Sequence, residues 1–303
     1  MDPGRRAHYG EFYADRVHAD HPHGPPVALV HGNCQAESLR VLLDSPGAEH
    51  RWVRMPPVHE LTADDVAHLH ALLARTTLLL SQPVRDDYRG LPLGTAELAA
   101  RLPRSARVLR WPVIRYHGLH PFSAIVRHPD DMSAVPPVVP YHDLRTLAAV
   151  AGRSPGPAPG PVALRTSADV SVQELARRER ACDVGVSDVL RGLGADAAHT
   201  LNHPGNPVLR RLAHRLQEAA GLPAGTVDPG RDLLGGIRAP LDPAVLDAVG
   251  LDAEPRPHWL VDGTEVDDED VRAAQLDWYR THPQWVTAGL DRHARRLELL
   301  GLG

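Results

Sequence analysis

An open, mostly parallel α/β sheet flanked by helices, with a helical C-terminal extension, is the fold class this sequence predicts. Three observations predict it. Short apolar runs suited to strands recur at residues 27–30, 51–55, 76–81 and 106–111, about 25–30 residues apart. Helical patterns fill the gaps, as in repeated strand–helix–strand units. The first run, Val27-Ala28-Leu29-Val30, passes through Gly32-Asn33-Cys34-Gln35 into the helical pattern Glu37-Ser38-Leu39-Arg40-Val41-Leu42-Leu43.

Taken in order, residues 1–24 read as a polar lead-in, 25–221 as the α/β catalytic domain, and 222–303 as a helical extension packed on it. Thr62-Ala63-Asp64-Asp65 starts the second helix with a capping threonine and early acids. That helix places Val66, Leu69, Leu72 and Leu73 on one face. Proline and glycine make residues 152–161 a loop. Ser171-Val172-Gln173-Glu174 is a capping box that starts a new helix, with Leu175, Cys182, Val186, Val189 and Leu193 on its apolar face. Cys182 is then a small core residue. Residues 199–207 form a polar, proline-bounded loop carrying His199 and His203, before a helix at 208–220. Two further helices, 268–281 and 284–300, break at Pro283 and carry Trp278, Tyr279 and Trp285 as anchors on the main domain.

The chain has 303 residues, 43% hydrophobic and 23% charged, which suits a globular protein with a sizeable core. A net charge of -5 argues against a general nucleic-acid binder. Every one of the 33 basic residues is arginine, so an anion site must use arginine, histidine or backbone N–H groups. Two cysteines make no disulfide framework. No apolar run approaches the roughly 20 residues of a membrane span, and the N-terminus lacks an apolar signal core, so the expected location is cytoplasmic. His18-x-x-His21-x-His23 reads as a mobile tail, and no metal site is expected.

Cys34 opens the first helix, where N–H groups and the helix dipole favour negative charge, so a lowered thiol pKa is expected. Ligands of a parallel sheet bind beyond its carboxyl ends. That rule gathers four loops, at residues 32–35, 55–59, 82–89 and 112–121. Arg85, Arg89 and Arg115 there would clamp phosphates or a carboxylate; the alternative pairs Arg85 and Arg89 with Asp86 and Asp87 at the surface. A thiol nucleophile needs a base. His203 is preferred, with Thr200 or Asn202 orienting its ring, and His117 is second. Asn33 and Gln35 would supply amide donors, and backbone N–H groups after Gly32 would complete an oxyanion hole.

Gly32-Asn33-Cys34-Gln35, the run from Gln82 to Gly90, Tyr116-His117-Gly118-x-His120-Pro121 and Asn202-His203-Pro204 occur in this order. Together they resemble the WcbI family of polysaccharide biosynthesis proteins over roughly residues 26–221. The resemblance implies an SGNH/flavodoxin-like α/β fold, coenzyme A binding and an acetyltransferase role on sugars. Gly32-Asn33-Cys34 looks like the Gly-Asp-Ser of SGNH hydrolases, which puts cysteine at the nucleophile position. Thr200-x-x-His203 looks like their Asp-x-x-His without the acid, leaving a Cys34–His203 dyad. The expected coenzyme A contacts are Gly32, Gln82, Arg85, Arg89, Arg115, Tyr116 and His117. Acyl transfer from an acyl-coenzyme A to a sugar or a specialised metabolite is the first reading. A hydrolase with the same residues, an esterase, thioesterase or amidase, is the second. A non-catalytic coenzyme A or sugar binder is the third.

Overall fold

The computed structural model describes residues 3–14, 24–128, 131, 134–153 and 156–303. His18, His21 and His23 lie outside the described residues. In chain order the elements begin with α1 (Pro3–His8), β1 (Val27–His31), α2 (Cys34–Leu43), β2 (Arg51–Trp52), α3 (Asp65–Leu73), β3 (Thr76–Ser81), α4 (Thr95–Ala99) and β4 (Arg107–Arg110). Next come β5 (Ser123–Ala124), β6 (His142–Asp143), α5 (Leu144–Val150), α6 (Pro161–Glu179), β7 (Ala198–Thr200), β8 (His203–Pro204) and α7 (Asn206–Ala220). The chain ends with β9 (Ile237–Arg238), α8 (Pro243–Val249), β10 (His258–Val261), β11 (Thr264–Asp267), α9 (Asp268–Thr281), α10 (Pro283–Arg292) and α11 (Ala294–Leu299).

Two units partition the chain: Met1–Val113 with Ala176–Val189 and Asn206–Leu233, and Ile114–Leu175 with Leu190–Gly205 and Leu234–Gly303. The first unit holds a four-stranded parallel sheet in the order β2-β1-β3-β4. All five residues of β1 are buried, the burial pattern of a strand covered on both faces. The chain order reverses between β1 and β3, so the switch point that favours ligand crevices lies at their carboxyl ends, where His31 pairs with Ser81. Strand β2 is shorter than the apolar run predicts: its ladder to β1 ends where the Val53 N–H donates to the Ala28 carbonyl at 3.2 Å.

The core of this unit joins Leu29, Val53, Leu69, Leu72, Leu79 and Leu98. Phe12 and Tyr13, within the stretch read as a polar lead-in, are buried in it. Tyr13 donates to Asp65 at 2.7 Å, and Arg5 does so at 3.0 Å. Asp65 accepts from the Thr62 N–H at 2.9 Å, so here the acid holds the threonine.

In the second unit, one core gathers Phe122, Leu144, Leu147, Tyr279, Trp285 and Leu300. A smaller one gathers Tyr141, Leu201, Ala239 and Trp259. The hairpin β10–β11 adds β9 as a third strand. Helix α6 begins at Pro161, ten residues before the capping box predicts. Proline is tolerated at a first helical position, and Leu164, Ala168, Ser171 and Leu175 form its buried face. Ser171 therefore lies inside the helix, where its Oγ accepts the His117 N–H at 2.9 Å. Helix α6 ends at Glu179, so Cys182 sits half-buried in the following turn instead of on a helix face. The Glu179 carboxylate closes that turn by accepting the Val186 and Ser187 N–H groups at 2.6 and 2.8 Å.

Candidate active site

In the first unit the structure brings Gly32, Asn33, Cys34, Gln35 and Gln82 together. Asn33 caps α2: its Oδ1 accepts the Gln35 N–H at 3.0 Å, leaving Cys34 as the first helical residue. Gln82, just past β3, reaches across the switch point. Its Oε1 accepts the Asn33 N–H at 2.9 Å and its Nε2 donates to Gln35 Oε1 at 3.2 Å. A Cβ on residue 32 would lie 2.6 Å from Gln82 Oε1, so this approach requires glycine. The Gly32 carbonyl accepts the Val58 N–H at 2.8 Å, tying the turn to the second predicted loop segment.

Gln82 is itself held by residues that the sequence reading missed. Its backbone N–H donates to the His31 carbonyl at 2.8 Å. Its carbonyl accepts from Ser81 Oγ and Thr95 Oγ1, both at 2.8 Å. Thr95 also accepts the Val84 N–H at 2.9 Å. Buried His31 donates from Nε2 to the Leu93 carbonyl at 3.0 Å, and burial lowers its pKa to about 4. No local motif marks Thr95, because its partners lie 11 to 14 residues away.

Cys34 is partly buried. Burial pushes its thiol up to about 11, overcoming the opposite pull of its own N–H and that of Gln35; the Glu60 carboxylate adds to the rise. The expected lowered pKa is thus corrected: desolvation outweighs the helix terminus.

Arg85 and Arg89 are exposed on the loop after β3. The alternative pairing with Asp86 and Asp87 does not form among the described residues. Arg89 instead donates to the His59 carbonyl at 2.8 Å and lies 5.7 Å from the Tyr88 ring centroid. Asp87 and Arg89 both take positive φ, 51° and 56°, ahead of Gly90. Glu97 holds this bend by accepting the Gly94 N–H at 2.8 Å and the Asp87 N–H at 3.2 Å.

Arg115, Tyr116, His117 and His203 belong to the second unit. The Tyr116 N–H donates to the Leu201 carbonyl at 2.7 Å, fastening the 114–121 segment to the β7–β8 hairpin that carries His203. Tyr116 and His117 are buried, and burial raises the Tyr116 pKa. Buried His120 contacts the Pro240 carbonyl through Nδ1 at 3.1 Å and the Ala198 carbonyl through Nε2 at 3.5 Å. It braces the same hairpin. The His203 ring meets the Tyr141 ring edge-on, with centroids 6.2 Å apart, and faces the Leu234 carbonyl. Thr200, expected to orient it, is engaged by the Tyr141 hydroxyl at 2.8 Å instead. Burial, then the neighbouring His199, lowers the His203 pKa to about 4. Its Nδ1 is buried with no hydrogen-bond partner among the described residues.

Among the described residues no cluster of histidine, cysteine or acid is arranged to hold a metal, and no helix is long and apolar enough to cross a membrane.

Comparison with known proteins agrees with this architecture. No curated protein matches the sequence. One solved structure superposes with a TM-score of 0.77 at 22% identity, covering 91% of this chain and 97% of that one. It is described as native WcbI, a novel polysaccharide biosynthesis enzyme, without a disulfide bond between coenzyme A and one of its cysteines. The family model described as polysaccharide biosynthesis enzyme WcbI matches residues 27–225, from the start of β1 to beyond α7. This chain belongs to the WcbI family of polysaccharide biosynthesis enzymes.

Proposed function

We propose that this enzyme binds an acyl-coenzyme A and transfers its acyl group to a hydroxyl or amine of a sugar or other small molecule. The observation that carries the reading is the placement of Cys34, the first residue of α2 at the β1/β3 switch point, on a turn locked by Gln82. The description of the similar structure in terms of coenzyme A and a cysteine supports the choice of donor. The family description supports a sugar acceptor.

In this reading the Cys34 sulfur attacks the thioester carbonyl. The thiol proton passes to a base, for which His203 is proposed on the sequence resemblance. The carbonyl oxygen becomes negative against backbone N–H groups at the start of α2. The C–S bond to coenzyme A breaks, and the released thiolate takes the proton back. The acceptor hydroxyl then attacks the Cys34 thioester and regenerates the thiol. Because burial keeps the resting thiol protonated, the base acts at the moment of attack. Exposed Arg85 and Arg89 are the proposed phosphate contacts, since neither is spent on a carboxylate among the described residues.

The test is thiol release from acetyl-coenzyme A, followed with and without neutral sugars, for the wild type, Cys34→Ala and His203→Gln. Transfer predicts acceptor-dependent release that both variants lose. Equal release without acceptor would make the protein a hydrolase, and no release under any condition would leave a binding protein.

A further inference from the structure

The second unit carries two adjoining cavities, of about 480 and 520 Å3, that share Phe122, Arg145, Asp242, Val245 and Asp268. Both have the size of a small-ligand pocket. Three helices begin at their walls. Asp143 caps α5, Asp242 caps α8, and Asp268 is the first residue of α9. Each carboxylate is fixed: Asp143 by the Arg145 N–H at 2.7 Å, Asp242 by the Ala244 N–H at 2.8 Å, and Asp268 by Trp259 Nε1 at 2.8 Å.

Arg145 lies 4.4 Å from the Phe122 ring centroid, pairs with Asp143 at 2.6 Å and stands 3.7 Å from Asp268. The floor under it is set from behind. Partly buried Arg296 donates to the carbonyls on either side of Phe122, those of Pro121 and Ser123, both at 2.6 Å.

The larger cavity adds Arg256, which donates to the Ala239 carbonyl at 2.6 Å. Among the described residues Arg256 has no acidic partner, and Asp242 feels the charge of Arg145 but forms no ion pair. One cavity thus offers a donor and an acceptor that are not locked to each other or to another charge in an ion pair. An anion there would meet Asp143, Asp242 and Asp268. A cation would meet Arg145, Arg256 and the positive ends of three helices. A neutral ligand that both gives and takes hydrogen bonds satisfies both signs, and hydroxyl groups do this. Pro121, Pro240, Pro243 and Val245 supply apolar surface for the C–H faces of such a ligand.

We propose that this groove binds a neutral saccharide, whose hydroxyls donate to Asp242 and accept from Arg256. The proposal rests on the function above only for the carbohydrate class, and it gives that class a site within this unit. Saturation-transfer NMR on the full chain tests it, with glucose, mannose, galactose and maltose as probes and glucuronate and inorganic phosphate as anionic controls. Arg256→Gln and Asp242→Ser, the latter keeping a capping side chain, are compared with the wild type. Each is also titrated with coenzyme A. The proposal predicts signal from at least one neutral sugar, weakened tenfold or more in both variants, with coenzyme A binding unchanged. It is overturned by silence of every neutral sugar with the wild type, by equal signal in both variants, or by binding of the anions alone. Sugar binding without coenzyme A binding would uphold the groove while defeating the acyltransferase reading.

Discussion

The amide oxygen of Gln82 accepts the Asn33 N–H at 2.9 Å, joining the residue after β3 to the cap of the helix that Cys34 begins. Everything proposed for Cys34 depends on this junction, because it sets the backbone on which the sulfur sits. Gln82→Ala would leave the buried Gln35 amide oxygen and the Asn33 N–H without this partner, at a cost of about 1–3 kcal/mol. Gly32→Ala would drive a methyl into the same amide and cost about as much. Urea unfolding midpoints check both. Unchanged midpoints would mean the junction is not needed for the fold.

The Cys34 thiol should titrate late. In a Cys182→Ala background, its alkylation rate by iodoacetamide should rise with pH toward a midpoint near 11, against an ordinary value of 9.0. At neutral pH it should react about 100-fold more slowly than a free thiol for thiolate content alone. A midpoint below 8 would mean that the helix terminus outweighs burial after all.

Five histidines, His31, His120, His142, His203 and His293, have pKa values lowered to about 4, chiefly by burial. The unfolded chain binds protons at these rings from an ordinary value of 6.5, whereas the folded chain resists until about 4. The unfolded state therefore holds more protons between those values. Stability should be level above pH 6.5 and fall as pH drops toward 4, by up to about 1.4 kcal/mol per pH unit for each ring. Urea titrations at several pH values measure this slope. His120→Asn should reduce it, and a flat profile would contradict the burial of these rings.

Arg85→Ala and Arg89→Ala should leave folding stability within about 0.5 kcal/mol of the wild type, since both side chains are exposed and neither forms an ion pair among the described residues. Each should weaken coenzyme A binding by roughly tenfold, as loss of a charge-assisted phosphate contact does. Calorimetric titration decides, and unaltered affinity would remove both from the site.

The strand, turn and helix from residue 27 to 43 were legible in the sequence, because a fully buried parallel strand leaves a continuous apolar run and α2 an amphipathic one. So were β3, α9 and the break at Pro283, where apolar runs and proline act locally. The locking role of Gln82 was not, since its partners Asn33 and Gln35 lie 49 and 47 residues away. The start of α6 was hidden because a proline at a first helical position reads like one in a loop. Ser171 mimicked a cap while serving as a buried acceptor for His117. The thiol pKa went the other way because the helix terminus is visible in sequence and burial is not. The ring of His203 is faced by Leu234, 31 residues on, where no local pattern points. Membership of two interleaved units is likewise invisible, as the first draws on three separate stretches of chain.

The central claim is that Cys34 accepts the acyl group, and intact-protein mass spectrometry after brief incubation with acetyl-coenzyme A tests it most directly. The account predicts a gain of one acetyl group on the wild type, released by hydroxylamine, absent from Cys34→Ala and retained by Cys182→Ala. An acetyl adduct that persists in Cys34→Ala, or acceptor-dependent turnover by that variant at the wild-type rate, would contradict it.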